Sequence, residues 1–196
     1  MDIAAQIGAV KRQVGDRSVV LRRGYVAEPE DVWGACTERE RLNSWFLPVS
    51  GDLTVGGRYQ LEDNAHGEIL RCQAPRLLQV TWEFGQAPPS TVEVRLKPVK
   101  GGTMFELEHS GLDDEQQWDQ FGPGAVGIGW DLVVLGLGVH LAGFKQPAGW
   151  ESSDEYYKYL AASNDAWRGA YEAAGAAPNV AAAAAERTLA AYTPSR

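Results

Sequence analysis

The longest apolar run in the sequence covers residues 121–144, and it constrains the fold more than any other stretch. Its large apolar side chains recur at spacings of three and four, which predicts one buried helix over the whole run. The stripe consists of Val126, Trp130, Val133, Leu137, Leu141 and Phe144. The run contains Asp131, is diluted by glycine and has no basic cluster beside it, whereas a membrane-spanning helix is predominantly apolar. We therefore expect a core helix rather than a membrane span.

A second stripe on the same predicted helix consists of four glycines spaced by seven residues: Gly122, Gly129, Gly136 and Gly143. Interior glycine costs a helix about 1 kcal/mol relative to alanine. We therefore expect the helix backbone to lie close to a neighbour here, either a strongly bent sheet or a bound molecule. Asp131 is expected either to face solvent at the helix edge or to meet a cation such as Arg23.

The stretch before residue 58 predicts one strand and two short helices. Residues 17–27 are rich in Val, Leu and Tyr, as strands are. Pro29 suits the first position of one helix, and Thr37 with Glu40 would form a capping box for the next. Residues 1–16 are expected to form a loosely ordered leader or a short helix.

A period-two pattern between residues 58 and 110 predicts an antiparallel meander of about five strands. In its last strand Phe105, Leu107 and His109 share one face, and glutamates occupy the other. A sheet that is apolar on one face needs a cover, and the long helix carries an apolar stripe of matching length. The prediction is an α+β fold in which a curved antiparallel sheet wraps around the long helix.

The last fifty residues predict a helical extension. Asn179 is expected to cap an alanine-rich helix, which has high helix propensity but little apolar area, so it should dock weakly or mediate a contact. The predicted organisation is a leader over 1–16, one domain over 17–146 and the extension over 147–196.

Five segments in a fixed order carry a family resemblance: AEPEDVWGACTERERLNSWF, VGGRYQLED, HGEILRCQAPRLLQVTWEF, GGTMFELEHSGL and GWDLVVLGLGVHL. Together they resemble the START-like (SRPBCC) superfamily, in the branch similar to the C-terminal domain of the activator of the heat-shock-protein-90 ATPase. The resemblance covers residues 17–144 and implies the helix-grip fold, with a cavity between sheet and helix. Relatives include ligand carriers, polyketide cyclases, co-chaperone domains and self-protection proteins, so the fold implies no single activity.

Aromatic side chains with few polar groups suit an apolar or aromatic ligand. The main prediction is therefore non-enzymatic binding of a hydrophobic or aromatic small molecule in that cavity. The residues expected to contact the ligand are Trp45, Tyr59, Trp82, Phe84, Phe105, His109, Gly129, Trp130, Val133, Gly136 and Leu137.

Three other functions stay open at this point. The first is a co-chaperone-like interaction module or stress-response protein. The second is a self-resistance protein that sequesters a reactive natural product, which glycine backbone exposed at Gly129 and Gly136 would suit. The third is a polyketide-cyclase-like enzyme, for which His109 with Tyr59 is the best candidate polar pair. His109 is otherwise expected to be a satisfied core histidine.

Composition narrows the partners and the compartment. A net charge of -8 without a basic stripe argues against nucleic acid. The dispersed histidines and cysteines give no metal-ligand spacing, and no cofactor is predicted. Cys36 and Cys72 are expected to be small buried hydrophobes in a reducing compartment, and no secretory signal is recognised, so a cytoplasmic location is expected. The expected partners are a hydrophobic small molecule and, through the C-terminal extension, a chaperone or a second copy of the chain.

Overall fold

The sheet contains eight antiparallel strands in the order β1-β2-β8-β7-β6-β5-β4-β3, within residues 1–193, which the computed structural model describes. The strands are β1 Val10–Gly15, β2 Ser18–Tyr25, β3 Val49–Gly51, β4 Arg58–Leu61, β5 His66–Gln73, β6 Leu77–Trp82, β7 Ser90–Val99 and β8 Gly102–Ser110. β8 alternates as predicted, with Phe105, Leu107 and His109 buried and the glutamates between them part-exposed. The predicted helix-grip fold is confirmed.

Helices precede, interrupt and follow the sheet. They are α1 Ile3–Gly8, α2 Pro29–Thr37, α3 Arg39–Trp45, α4 Glu115–Phe121, α5 Gly124–Leu141, α6 Asp154–Ala173 and α7 Pro178–Tyr192, with a short 3-10 turn at Trp150–Ser152. Pro29 opens α2 as predicted. The predicted capping box is wrong, because α3 begins only at Arg39 and the Thr37 hydroxyl donates to the Trp33 carbonyl inside α2.

The apolar run 121–144 does not form one helix. It contributes the end of α4 and all of α5, which are separated by Gly122 at φ +62° and by Pro123. The helix also ends early, at Leu141, so Phe144 lies beyond it and is 72% exposed. Both ends of the predicted helix were wrong because glycines at positive φ turn the chain there, which L side chains rarely allow.

α5 is buried on two sides. Trp130 and Leu137 pack with Leu21 and Phe105 of the sheet in one apolar core. On its other side α5 meets α6, where a Cβ at Gly127 would lie 2.3 Å from Cε2 of Trp167. By length and composition alone α5 could cross a membrane, but its contacts with sheet and helices are those of a core helix.

The expected leader contains a strand that the sequence analysis missed. β1 pairs with β2 along its whole length and forms one edge of the sheet. Val10 and Val14 point into the core, but the residue between them on the same face is Arg12. A charge at the middle inward position concealed the period-two pattern.

Arg12 is buried because it pairs with Asp131 of α5. Its Nε atom lies 3.2 and 2.9 Å from the two carboxylate oxygens, and Asp131 is fully buried. Ser163 and the Trp167 indole of α6 also donate to this carboxylate. Burial raises the pKa of Asp131, and the Arg12 charge opposes that shift. The expected solvent exposure of Asp131 is therefore wrong, whereas the expected cationic partner is present, although it is Arg12 rather than Arg23.

The C-terminal extension packs on its own chain. α6 is continuous for 20 residues and is capped by Ser153, while α7 follows it antiparallel and buries Ala181, Ala184 and Thr188. Asn179 is not the cap of α7, because Pro178 already occupies the first turn and Ala177 precedes it. The small alanine side chains let α7 lie close to α6 and α4, so the low apolar area of this helix serves close packing.

Candidate functional site

A cavity of about 160 Å³ lies between the inner face of the sheet and α5. Its lining is mostly large and apolar, and none of the lining residues carries a charge at neutral pH. They are Cys36, Thr37, Leu42, Trp45, Phe46, Val49, Leu53, Tyr59, Leu61, Ile69, Cys72, Leu78, Val80, Trp82, Val92, Val94, Phe105, Leu107, Trp130, Val133 and Leu137. We call this space the main cavity.

Seven of the eleven predicted contact residues line the main cavity: Trp45, Tyr59, Trp82, Phe105, Trp130, Val133 and Leu137. Phe84 and His109 instead line a second cavity nearby, which Trp82 also borders. Gly129 and Gly136 line neither. The expected site therefore divides into two spaces, and the two glycines that were expected to contact the ligand lie outside both.

The glycines were misplaced because they face other parts of the protein. A Cβ at Gly136 would lie 3.5 Å from the Trp45 ring, and one at Gly129 would lie 3.5 Å from the Tyr192 hydroxyl. Both are ordinary contacts, so neither position marks an unusually close approach. The glycine backbone at Gly129 and Gly136, which would have suited a self-resistance protein, lines neither cavity.

The rest of the lining was not predicted from the sequence. Val80, Val92 and Val94 alternate on predicted strands, so the period-two pattern that located Phe105 could have located them. Leu42 and Phe46 flank Trp45 in and just after α3, and only the docking of α3 beside the sheet brings them to the cavity. Ten lining residues are not buried: Cys36, Thr37, Leu42, Trp45, Phe46, Leu53, Cys72, Leu78, Trp82 and Val133. Those at α3 and the strands beside it mark the open side of the cavity.

Three hydrogen-bond donors of the main cavity are already used within the protein. The Tyr59 hydroxyl donates to the Thr81 carbonyl at 2.8 Å, and the Trp45 indole donates to the Ala35 carbonyl at 2.9 Å. The Trp130 indole N–H donates to Nδ1 of His109 at 3.0 Å. A ligand in this space therefore meets apolar surface and no free donor from these groups.

Two ionisable groups of the main cavity, Cys36 and Tyr59, stay neutral at physiological pH. Burial raises the pKa of the Cys36 thiol to about 12 and raises the pKa of the Tyr59 hydroxyl well above its usual range. Neither group can act as an anionic nucleophile or base near pH 7. Cys72, which was expected to be buried, is exposed on β5 at the open side.

The hydrogen bonds of His109 fix its tautomer. An indole N–H can only donate, so Nδ1 of His109 accepts from Trp130 and carries no proton. The proton of the neutral ring is therefore on Nε2, which donates to the Ser90 hydroxyl at 2.7 Å. Ser90 in turn donates to the Trp82 carbonyl at 3.0 Å. Burial lowers the pKa of His109 to about 4, which keeps the ring neutral.

This arrangement is structural rather than catalytic. A histidine that activates serine must accept the hydroxyl proton, but here the ring donates to Ser90 and its lone pair is used by Trp130. The polar pair expected for an enzyme does not form either, because the Tyr59 hydroxyl is bonded to a backbone carbonyl. His109 is a satisfied core histidine that holds Trp130 in place.

Three rings separate the main cavity from the second one. Trp82 lies 5.0 Å from Trp130 and 6.1 Å from His109 between ring centroids, and the latter two lie 5.7 Å apart. Trp130 faces the main cavity, His109 faces the second cavity, and Trp82 borders both. We call this group the aromatic partition.

Comparison with known proteins gives one family and several solved structures. Residues 26–142 match the model of the family described as Activator of Hsp90 ATPase homolog 1-like protein. The crystal structure of CalU16 from Micromonospora echinospora has 34% identity and a TM-score of 0.71, covering 83% of this chain and 98% of CalU16. The solution structure of CalU16 has 32% sequence identity to this chain and a TM-score of 0.72. The match covers 84% of this chain and 96% of CalU16.

Two further structures are more distant. The protein MLL2253 from Mesorhizobium loti has 25% identity and a TM-score of 0.59, covering 66% of this chain and 100% of the other. The Aha1 dimer from Colwellia psychrerythraea shares 17% identity and a TM-score of 0.54 over 63% of this chain and 95% of the other, a likeness of fold alone. No curated protein matches the sequence.

Proposed function

The chain belongs to the family described as Activator of Hsp90 ATPase homolog 1-like protein, and from this premise we propose that it binds a hydrophobic or aromatic small molecule in the main cavity without transforming it. The observation that carries the proposal is a cavity whose lining is mostly apolar, contains no Asp, Glu, Lys, Arg or His, and has the Trp45 and Trp130 indoles and the Tyr59 hydroxyl already bonded within the protein. Such a space favours a ligand through apolar burial, which contributes roughly 25 cal/mol per Å².

The size of the main cavity limits what it can hold. An engineered cavity of about 150 Å³ in another protein binds benzene, whereas pockets for drug-sized ligands measure about 300–1,000 Å³. At about 160 Å³ the main cavity matches one small ring system. A larger molecule would have to extend through the open side between α3 and the strands, or beyond the aromatic partition.

The proposal is tested with naphthalene, an uncharged two-ring probe. A ligand that binds only the folded state raises stability by about 2.7 kcal/mol at a hundred times its Kd, so the melting temperature should rise with naphthalene concentration. Val133→Phe fills the main cavity from α5 and should abolish the rise.

The matched control is Val180→Phe, which places the same side chain at an exposed position of α7, remote from the cavity lining. It should preserve the rise. A rise that survives in Val133→Phe, or the absence of any rise in the unaltered protein, would refute the proposal.

A second candidate is a co-chaperone-like role, which the family description itself favours. It predicts that the protein accelerates ATP hydrolysis by an Hsp90-type chaperone. An ATPase assay with and without the protein measures this directly, and our main proposal expects no change in rate. The same candidate includes a dimer through the extension, which sedimentation velocity would show as twice the monomer mass.

A further inference from the structure

The second cavity holds about 140 Å³ and lies beyond the aromatic partition. It sits between the loop that joins β6 to β7, the segment that joins β8 to α4, and the start of α5. Its lining is mixed: Trp82, Phe84, Ala87, Pro88, Ser90, His109, Gly111, Leu112, Asp113, Asp114, Gln117, Trp118, Gly122, Ala125 and Val126. We call this space the annex.

The annex is nearly as large as the main cavity, and the two share Trp82 as a common wall. Either space alone falls below the usual size of a pocket for a drug-sized molecule, whereas the two joined would about reach its lower limit. The described part of the chain therefore contains two adjoining spaces, one apolar and one with a mixed lining, with the aromatic partition between them.

The members of the aromatic partition are not held equally. Trp130 and His109 are fixed to each other by a hydrogen bond, and His109 is fixed further by Ser90. The Trp82 ring is held by its contacts with these two rings, and its side chain is partly exposed at the end of β6. Rotation of the Trp82 indole breaks apolar ring contacts, whereas moving Trp130 would leave a buried histidine nitrogen unsatisfied.

We propose that the annex is the second compartment of the ligand site, that it receives the second ring system of an elongated, uncharged aromatic ligand, and that Trp82 is the movable wall between the compartments. This inference rests on the proposed function, because it requires the first ring system to occupy the main cavity. Phe84, Pro88 and Trp118 give the annex its own apolar surface for a ring.

The charges around the two spaces argue against an anionic ligand, and the uncharged main cavity also argues against a charge on the first ring system. The main cavity is lined by no charged residue. The annex has Asp113 and Asp114 in its lining, and both carboxylates disfavour an anion there. Arg17 stacks on the Trp118 ring at 5.6 Å, but it is not part of the annex lining.

The test compares two neutral probes of different length. Naphthalene fits one compartment, whereas N-phenyl-1-naphthylamine carries a third ring and fluoresces more strongly in apolar surroundings. Ala125→Leu fills the annex from α5, and Val133→Phe fills the main cavity from the same helix. Ala87→Leu fills the annex from its exposed loop and serves if the α5 variant fails to fold.

We expect Val133→Phe to abolish the binding of both probes. We expect Ala125→Leu and Ala87→Leu to raise the Kd of N-phenyl-1-naphthylamine about tenfold or more, because burial of one ring contributes about 1.5–3 kcal/mol. The same variants should leave the Kd of naphthalene within about twofold of its value in the unaltered protein. If naphthalene binds but neither annex variant weakens the longer probe, the annex is overturned and the proposed function stands. If neither probe binds the unaltered protein, both are overturned.

Discussion

Replacing His109 by glutamine should remove a specific part of the pH dependence of folding. The His109 ring is 3% exposed, and burial lowers its pKa to about 4, against about 6.5 for an unfolded chain. A glutamine amide can accept from the Trp130 indole and donate to Ser90, so it can replace both hydrogen bonds without a titrating group.

The sign and size of the effect follow from proton linkage. Because the folded pKa lies below the unfolded one, the unfolded chain binds the proton first, and acid destabilises the folded state. The stabilising contribution is complete above about pH 6.5 and is lost as the pH falls toward 4. Each pH unit between the two pKa values corresponds to about 1.4 kcal/mol of stability. Protonation of His109 should therefore lower the free energy of unfolding by about 2 kcal/mol between pH 7 and pH 5.

Urea unfolding at pH 7, 6 and 5 measures this loss in the unaltered protein and in His109→Gln. The carboxylates are the same in both proteins, so their effects cancel in the difference. His140→Gln is the matched control: partial burial and the Arg41 charge lower the pKa of His140, but its side chain is partly in solvent and should matter less. If the difference in free energy of unfolding between the unaltered protein and His109→Gln stays constant within about 0.5 kcal/mol over this pH range, the His109 ring is not buried in its neutral form.

Two further predictions concern the packing around α5, and urea unfolding at pH 7 checks both. Arg12→Met leaves the Asp131 carboxylate buried without its cation and should lower the free energy of unfolding by about 3–5 kcal/mol. A decrease below about 1 kcal/mol would show that the ion pair is not desolvated. Gly127→Ala places a Cβ 2.3 Å from Cε2 of Trp167 and should lower the free energy of unfolding by about 1–3 kcal/mol. Gly129→Ala makes an ordinary 3.5 Å contact and should raise the free energy of unfolding by up to about 1 kcal/mol. Equal effects of the two alanines would contradict the close packing of α6 on α5.

The half-buried strands were predictable because their pattern has a direct physical cause. One face of the sheet is dry and the other wet, so Phe105, Leu107 and His109 could be assigned to the interior from alternation alone. The order of segments then gave the family and the fold. The same reasoning failed for β1, because a buried ion pair puts Arg12 where the pattern requires an apolar residue.

The surroundings of α5 were beyond what a pattern along one helix can show. Asp131 looked like an edge residue because the groups that surround it come from β1 and from α6, far away in the sequence. The glycine spacing of seven suggested that the helix backbone lies close to a bent sheet or a bound molecule. However, Gly122 and Gly143 lie outside the helix at positive φ. The closest approach to a glycine of α5 is at Gly127, and only the position of Trp167 reveals it.

The division of the site into two cavities was equally hidden from the sequence. The sequence places Phe84 two residues after Trp82, and both were expected to contact one ligand. Because β6 ends at Trp82 and the chain turns into the following loop, Phe84 is 54% exposed and borders the annex instead. The hydrogen bond between His109 and Trp130 links a strand to α5, and no local pattern encodes it.

The indole N–H signals of the seven tryptophans test the central claim most directly, because the chain carries its own controls. Trp45, Trp82 and Trp130 line the main cavity, whereas Trp150 and Trp167 do not. In a titration of the ¹⁵N-labelled protein with naphthalene, we predict saturable shifts of the first three signals and none for the last two. Shifts confined to Trp150 and Trp167, or no shift of the cavity signals, would contradict binding in the main cavity.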